Sequence, residues 1–270
     1  MIPLLVSDLD DTLLTSDKTI SPKNKASIEA FRQAGGQFTI ATGRNLYESI
    51  RYIKELELTI PAILANGSLL YDPLTKETTI LNQLDRKLVQ DLYTQTSLLP
   101  KEVDFLIYST EIIYGCDLQF INQDVAKMYD IRLEILDQIT FLPNVPILKL
   151  VGFSMTHLEQ LRSWTETLTL PIEAAQSSDR AIEILPIGVN KGSALELLVK
   201  RLGLSLDHVA AVGDQLNDLS MLRKVGHSFA VANANPLTIQ TAKQIVPSHN
   251  EDAIHHIIQE YLTQTSEKAE

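Results

Sequence analysis

Three acidic residues directly follow the first apolar run of the chain, Leu4–Ser7. They lie in the segment Asp8–Thr12, which reads DLDDT. If this run is a strand of an open parallel sheet, the acids lie where such sheets bind ligands. Carboxylates this close repel one another strongly unless a cation or hydrogen-bond donors offset their charge. The segment therefore indicates a site for carboxylate chemistry or for a bound cation.

Two structural interpretations compete with a catalytic one. The acids can form a solvated turn that starts a helix. Asp11 in particular can be a helix-starting residue, so whether it takes part in chemistry stays open. Asp8 and Asp10 also fit the first and third positions of a calcium loop, but that loop needs glycine where Leu13 stands and glutamate where Thr19 stands. The calcium loop is therefore excluded, and the ends of the other strands decide between a turn and a catalytic site.

Polar residues that suit phosphate chemistry follow the other apolar runs. The second run ends in Thr42-Gly43-Arg44, the third in Asn66-Gly67, and the fourth in residues 213–218, which read GDQLND. Lys191 stands at the start of a predicted helix, an unfavourable position for a cation unless an anion binds there. Acids, a hydroxyl, amides and a lysine converging on one sheet edge predict a metal-assisted phosphate site.

Taken in chain order, the segments DLDDT, ATGR, NKG and GDQLND resemble the four motifs of the haloacid dehalogenase superfamily. The large insertion between the second and third motifs resembles the Cof-like hydrolase branch, which carries a C2-type cap. Asn66-Gly67 and the segment Ala230–Ala234 add to the resemblance, which covers essentially the whole chain. It implies a Rossmann-like parallel sheet with an inserted α+β cap, and a phosphatase of small phosphorylated metabolites such as sugar phosphates.

The resemblance also implies a role for each motif residue. Asp8 is expected to be the nucleophile that forms an aspartyl-phosphate, and Asp10 the general acid and base that promotes its rapid hydrolysis. The expected ligands of Mg²⁺ are the Asp8 carboxylate, the Asp10 backbone carbonyl and the Asp214 carboxylate. Asp218 is expected to orient a metal-bound water or Lys191. The groups expected to hold the phosphoryl group are Lys191, Thr42 and the amides of Leu9, Gly43 and Asn217.

The elements that must position these residues alternate near both ends of the chain. Helical spacing with capping signals covers Ser21–Gly35 and Lys191–Gly203. Short apolar runs alternate with such helical stretches and are typical of strands buried on both faces: Leu4–Ser7, Phe38–Ala41, Ala62–Ala65, Val209–Val212 and Ser228–Ala232. This alternation predicts a parallel sheet covered by helices.

The middle of the chain has a different pattern, which predicts an inserted α+β domain at residues 84–185 between core segments 1–83 and 186–270. Phe105–Ser109 and Glu111–Gly115 indicate an antiparallel hairpin. The other predicted elements of the insertion are strands at Leu148–Phe153, Ile172–Ala175 and Ala181–Leu185 and helices at Leu84–Ser97 and Thr156–Thr167.

Composition narrows the class of protein. A chain of 270 residues with 44% hydrophobic residues and a net charge of −11 suits a soluble globular protein and disfavours nucleic-acid or membrane-surface binding. The start of the chain lacks the basic region and cleavage site of a signal peptide, and no apolar run approaches about 20 residues. One cysteine, Cys116, excludes an intrachain disulfide and a thiolate zinc site. We therefore expect a cytoplasmic protein, with no prediction of oligomeric state.

Other functions remain open at this point. The insertion carries 15 acidic and 8 basic residues, which weakens a phosphomannomutase-like activity that grips phosphate at both ends of a sugar, although Arg132, Lys149 or Arg180 could supply local charge. A receiver-like signalling module is shorter and lacks an acid at the position of Asp10. A non-catalytic phospho-ligand binder is disfavoured because the motif residues are intact.

Overall fold

A computed structural model describes residues 3–128 and 130–266 of the chain. The strands in these residues are β1 (Leu4–Ser7), β2 (Gln37–Ile40), β3 (Ala62–Leu64), β4 (Leu69–Tyr71), β5 (Thr78–Ile80), β6 (Asp104–Tyr108), β7 (Ile113–Gly115), β8 (Leu133–Ile135), β9 (Lys149–Phe153), β10 (Ile172–Gln176), β11 (Ala181–Pro186), β12 (Val209–Gly213), β13 (His227–Val231) and β14 (Gln244–Val246). The α-helices are α1 (Pro22–Gln33), α2 (Leu46–Glu55), α3 (Arg86–Gln95), α4 (Gln123–Met128), α5 (Leu158–Thr167), α6 (Lys191–Arg201), α7 (Leu219–Leu222), α8 (Pro236–Thr241) and α9 (Ala253–Ser266).

The two ends of the chain build one parallel sheet, which we name the core sheet. Its strand order is β14-β13-β12-β1-β2, and every neighbouring pair is parallel. A parallel bridge between Ala41 and Ile63 places β3 beside β2, and β3 continues into an antiparallel unit with β4 and β5. The predicted parallel sheet is therefore confirmed, whereas β4, β5 and β14 were not predicted from the sequence.

Helices cover both faces of the core sheet because successive strand residues point to opposite sides. Leu5 packs into a cluster with residues of α1, α2 and α9, while its neighbours Leu4 and Val6 pack with residues of α6 and α7. The alternation continues in β12, where Ala210 and Val212 join the first cluster. The runs of apolar residues in these strands are thus explained by burial on both faces.

Capping residues begin the helices at the predicted places. The Ser21 side chain accepts a hydrogen bond from the Asn24 amide, and Pro22 occupies the first helical position of α1. The Asn190 side chain accepts from the Ser193 amide at 2.9 Å, and the Ser193 hydroxyl accepts from the Asn190 amide. This cap fixes α6 so that Lys191 is its first residue.

The middle of the chain forms a mostly antiparallel sheet of order β10-β11-β9-β6-β7-β8, which we name the cap sheet. The predicted hairpin is present as β6 and β7, and β7 and β8 form a parallel pair. One face of the cap sheet packs under α3 and α5, where Trp164 contacts Phe105 edge to face at 5.5 Å. The opposite face carries Tyr108, Lys149 and Glu183 towards the carboxyl end of the core sheet.

The hydrophobic clusters divide near the predicted ends of the insertion. The cluster beneath α3 and α5 draws its buried members from Leu84 through Ile184, and the clusters of the core sheet lie outside that range except for Leu148. Among the described residues, no helix combines the length and apolar character that crossing a membrane requires.

Candidate active site

The carboxyl ends of three adjacent strands bring the motif residues together. Because β12, β1 and β2 are neighbours and parallel, the residues that follow them meet at one edge. The Asp8 amide donates to the Val212 carbonyl at 3.0 Å, and the Thr42 amide donates to the Ile63 carbonyl at 2.9 Å. Backbone hydrogen bonds therefore hold the starts of the loops after β1 and β2 in place.

Three buried carboxylates surround one buried lysine at this edge. Oxygen atoms of Asp8, Asp214 and Asp218 lie within 4.8 Å of one another. Lys191 Nζ donates to Asp8 Oδ1 at 2.6 Å and to Asp218 Oδ1 at 2.7 Å, and its side chain is fully buried. The lysine thus reaches from the start of α6 to the ends of β1 and β12.

The charge of this cluster is unbalanced. Burial raises the pKa of Asp8 to about 7, even though Lys191 lowers it. Burial also raises the pKa of Asp214, to which Asp8 and Asp218 contribute by repulsion. Burial lowers the pKa of Lys191, but its two carboxylate partners outweigh that effect and raise it, so the lysine stays charged. One cation among three acids leaves excess negative charge in a buried place.

The donor set fits a hard divalent cation. Asp8 and Asp214 present carboxylate oxygens, the ligand type that Mg²⁺ prefers. Thr12 donates its hydroxyl hydrogen to Asp214 Oδ1 at 2.9 Å and so orients that carboxylate. Asn217 Oδ1 is buried without a hydrogen-bond partner in the described part of the chain, as expected beside a ligand. A metal ion at Asp8 and Asp214 would balance the cluster.

The hydrogen-bonding environment of Asp218 differs from those of Asp8 and Asp214. Its Oδ2 accepts from the Asp214 amide at 2.9 Å and the Gln215 amide at 3.0 Å, while Oδ1 binds Lys191. A Cβ atom on Gly213 would lie 2.4 Å from the Asp218 carboxyl carbon, so only glycine leaves room for this arrangement. Asp218 therefore orients both Lys191 and the loop that carries Asp214.

Asp10 lies apart from this cluster and is paired with Arg44. The guanidinium donates from Nε and from an Nη atom to the two Asp10 oxygens, each at 2.7 Å, and Lys18 lies 3.2 Å away. Burial raises the pKa of Asp10, but the hydrogen bonds and charge of Arg44, with the charge of Lys18, lower it overall to about 2. In this arrangement Asp10 is a carboxylate and not a proton donor.

The other sequence-predicted residues surround the carboxylate cluster. Thr42 is buried beside Gly43, and its hydroxyl oxygen accepts from the Arg44 amide at 3.2 Å. Leu9 is buried directly after Asp8. Asn217 Nδ2 donates to Asn66 Oδ1 at 3.1 Å. Asp11 is half-exposed, pairs with Lys18 at 3.2 Å and has a φ of 54°.

A cavity of about 610 Å³ lies between this edge and the cap sheet. The core sheet contributes the motif residues, and the cap sheet contributes Tyr108, Lys149 and Glu183. Ser177, Ser178 and Asp179, between β10 and β11, complete that side. The volume suits a metabolite of moderate size.

Several residues of the site had no predicted role. Thr12 and Arg44 lie within the quoted motifs, so their position next to a strand end could have indicated that they belong to the site. Asn66 was singled out only for its position, and Glu183 carried no signal because an acidic residue within a cap strand is indistinguishable from a solvated one. Their roles come from contacts between segments far apart in the chain.

Comparison with known proteins identifies a family and a shared fold. A family model described as haloacid dehalogenase-like hydrolase matches residues 5–258. A 5-amino-6-(5-phospho-D-ribitylamino)uracil phosphatase of Bacillus subtilis is 28% identical over 97% of this chain and 96% of its own length. A pyridoxal phosphate phosphatase of Escherichia coli is 28% identical over 96% of this chain and 98% of its own. A crystal structure of a haloacid dehalogenase-like hydrolase from Bacteroides thetaiotaomicron has a TM-score of 0.83 at 24% identity, covering 97% of this chain and 100% of that one, and shows the same fold.

Proposed function

Because the chain belongs to the haloacid dehalogenase-like hydrolase family, we propose that it is a Mg²⁺-dependent phosphatase of small phosphorylated metabolites. The observation that carries the proposal is the buried cluster of Asp8, Asp214 and Asp218 around Lys191, next to Thr42 at one sheet edge. The names of the two curated relatives, both phosphatases of small phosphate esters, support it. We also propose that the protein acts in the cytoplasm.

The proposed nucleophile is Asp8, whose carboxylate attacks phosphorus to give an aspartyl-phosphate that water then hydrolyses. Lys191, the Thr42 hydroxyl and the amides of Leu9, Gly43 and Asn217 would hold the phosphoryl oxygens and offset their charge. Lys191 touches Asp8 directly, so it is placed to contact the same phosphoryl group. In-line positioning by these groups supplies most of the catalysis that a weak carboxylate nucleophile needs.

Asp10 would protonate the leaving oxygen and then activate the water. To donate a proton, its carboxyl group must first loosen its pairing with Arg44 and Lys18, which now holds it ionised. Loss of one of the two guanidinium hydrogen bonds would free one Asp10 oxygen for this step, while the other bond would keep the carboxyl group oriented. Arg44 would then act as a positioning residue for the acid and base.

The residues that would hold Mg²⁺ are the carboxylates of Asp8 and Asp214 and the backbone carbonyl of Asp10, with Asp218 behind them. The ion would supply charge neutralisation at the phosphoryl oxygens. The remaining work, which is orienting the phosphoryl group and moving its protons, falls to the side chains of the chain itself.

We propose that residues 84–185 form the inserted cap and that 1–83 with 186–270 form the catalytic core. The division of the hydrophobic clusters at Leu84 and Ile184 supports these bounds. The cap would cover the bound ester, exclude water during phosphoryl transfer and select the leaving group. We name no oligomeric state.

The test is phosphate release from a panel of sugar phosphates, nucleotides, pyridoxal phosphate and p-nitrophenyl phosphate, with Mg²⁺ and with a chelator. Turnover should require Mg²⁺ and should fall by at least about 1,000-fold in Asp8→Asn, which nearly preserves shape but removes the nucleophile. Asp17→Asn, the same change at an exposed position nearby, is the control and should keep its activity. Phosphate release that persists in Asp8→Asn, or its absence from every substrate, would overturn the proposal.

A further inference from the structure

The cap sheet presents a buried ion pair to the site cavity. Lys149 Nζ donates to Glu183 Oε2 at 2.7 Å, and the exposed fractions of the two side chains are 3% and 6%. The same ammonium group lies 4.4 Å from the centre of the Tyr108 ring. Burying an ion pair is costly, and neither residue belongs to the phosphate-binding machinery proposed above. The pair therefore calls for a functional explanation.

Glu183 reaches the core directly. Its Oε2 accepts a hydrogen bond from Asn66 Nδ2, and Asn66 in turn accepts from Asn217. A Cβ atom on Gly43 would lie 3.3 Å from Glu183 Oε1, so the carboxylate sits against the loop that would hold the phosphoryl group. The ion pair thus stands where the leaving group of a bound ester must lie.

The cations that line the cavity are already paired. Among the described lining residues these cations are Lys18, Arg44 and Lys149. Lys18 pairs with Asp10 and Asp11, and Arg44 also pairs with Asp10. Lys149 pairs with Glu183. The acids on this lining that take no part in the proposed chemistry are Asp11, Glu48, Asp179 and Glu183. A second phosphate on the leaving group would therefore meet carboxylates and find no free ammonium or guanidinium group among these residues.

We propose that the cavity selects phosphate monoesters whose leaving group is neutral or cationic, and that Glu183 and Lys149 determine this specificity. The inference rests on the phosphatase function proposed above. Hydroxyl or ammonium groups of the leaving group would donate to Glu183 and Asp179, while Lys149 and the hydroxyls of Ser177 and Ser178 would donate to its oxygens. A polyhydroxylated or amine-bearing metabolite with a single phosphate fits this lining, and a bisphosphate does not.

The experiment compares kcat/KM for phosphate release from fructose 6-phosphate and fructose 1,6-bisphosphate. The wild-type enzyme should use the bisphosphate at one-tenth or less of the efficiency of the monophosphate, because the second phosphate is repelled. Glu183→Gln frees Lys149 and should raise the bisphosphate-to-monophosphate ratio about tenfold. Lys149→Gln leaves Glu183 without its cation and should lower that ratio, so the two variants move it in opposite directions.

The matched control is Glu159→Gln on α5, which makes the same change of charge at an exposed site on the far face of the cap sheet. It should leave the ratio within about twofold of wild type, since charge at that distance is screened. Because the measured quantity is a ratio within one enzyme preparation, a loss of folded protein cancels from it. If a buried variant does not fold, Asp179→Asn at the exposed rim should also raise the ratio.

A wild-type enzyme that uses both substrates equally, or a Glu183→Gln enzyme with the wild-type ratio, would overturn the proposed specificity. Neither result touches the phosphatase function, which is judged separately by hydrolysis of p-nitrophenyl phosphate in wild type and Asp8→Asn. Comparing glucosamine 6-phosphate with glucose 6-phosphate tests the preference for a cationic leaving group. Because of its ammonium group, glucosamine 6-phosphate should have a kcat/KM at least as high as that of glucose 6-phosphate. A clear preference for glucose 6-phosphate would contradict the assignment.

Discussion

The chemical role proposed for Asp8 would come with a cost in stability. Asp8 is buried beside the carboxylates of Asp214 and Asp218, and Lys191 is the cation next to it. Burial raises the pKa of Asp8 to about 7. A group whose pKa is raised in the folded protein destabilises the fold when it is ionised. Residues placed for catalysis commonly carry such a cost.

Asp8→Asn should therefore stabilise the protein when metal is removed. In a chelator at pH 8, we expect its Tm to exceed that of wild type by several degrees, because one buried negative charge is gone. Thermal unfolding followed by circular dichroism measures this, with Asp17→Asn as a control that should not change Tm. A lower Tm for Asp8→Asn would show that the Lys191 pairing outweighs carboxylate repulsion.

Arg44 is the second residue whose geometry allows a sharp prediction. Its planar guanidinium binds both oxygens of Asp10, which an ammonium group cannot reproduce. Arg44→Lys should lower kcat/KM by about 10- to 100-fold for every substrate of the panel, since Asp10 loses its orientation. Steady-state kinetics with Arg162→Lys on α5 as the control tests this. An unaffected Arg44→Lys enzyme would mean that Asp10 needs no such partner.

At the scale of elements, the start of α6 is packed against two other segments. A Cβ atom on Gly192 would lie 2.2 Å from the Ser220 carbonyl oxygen, and one on Gly67 would lie 2.4 Å from the Asn190 carbonyl oxygen. Gly67 also has a φ of +101°, which side chains rarely adopt. These close approaches position Lys191 over the ends of β1 and β12.

Gly192→Ala should lower stability and activity together. The new methyl group collides with backbone that cannot move aside, so α6 must shift by about an ångström and carry Lys191 with it. We expect a Tm loss of several degrees and a fall in kcat of about 100-fold. Lys200→Ala, an exposed change on the same helix, should do neither. An active and stable Gly192→Ala protein would show that the start of α6 can relax.

At the scale of the whole molecule, bound metal should stabilise the fold. A ligand that binds only the folded protein adds about 2.7 kcal/mol when present at 100 times its Kd. Mg²⁺ should therefore raise the wild-type Tm by several degrees, and this shift should disappear in Asp214→Asn but persist in Asp17→Asn. Equal shifts in all three proteins would place the ion elsewhere.

The sequence by itself determined the core of the molecule. Apolar strands such as Leu4–Ser7 and the caps at Ser21 and Asn190 are local features, and local features fix where elements begin and end. The motif residues stand directly after these strands, so a parallel sheet necessarily brings Asp8, Thr42 and Asp214 to one edge. The fold class and the meeting of these motif residues followed from that reasoning, and the family followed from the resemblance of the four motifs to those of known proteins.

Only the tertiary structure decided what each side chain touches. The Arg44 contact with Asp10 and the Glu183 contact with Asn66 join segments that no local pattern relates, the latter across 117 residues. The cap gave no sharp motif, because a contact between its sheet and the core, such as that of Glu183 with Asn66, is made only in the assembled fold. Hydrophobic periodicity shows which face of a helix or strand is buried. Which side chains that face contacts depends on how the elements pack in the folded chain.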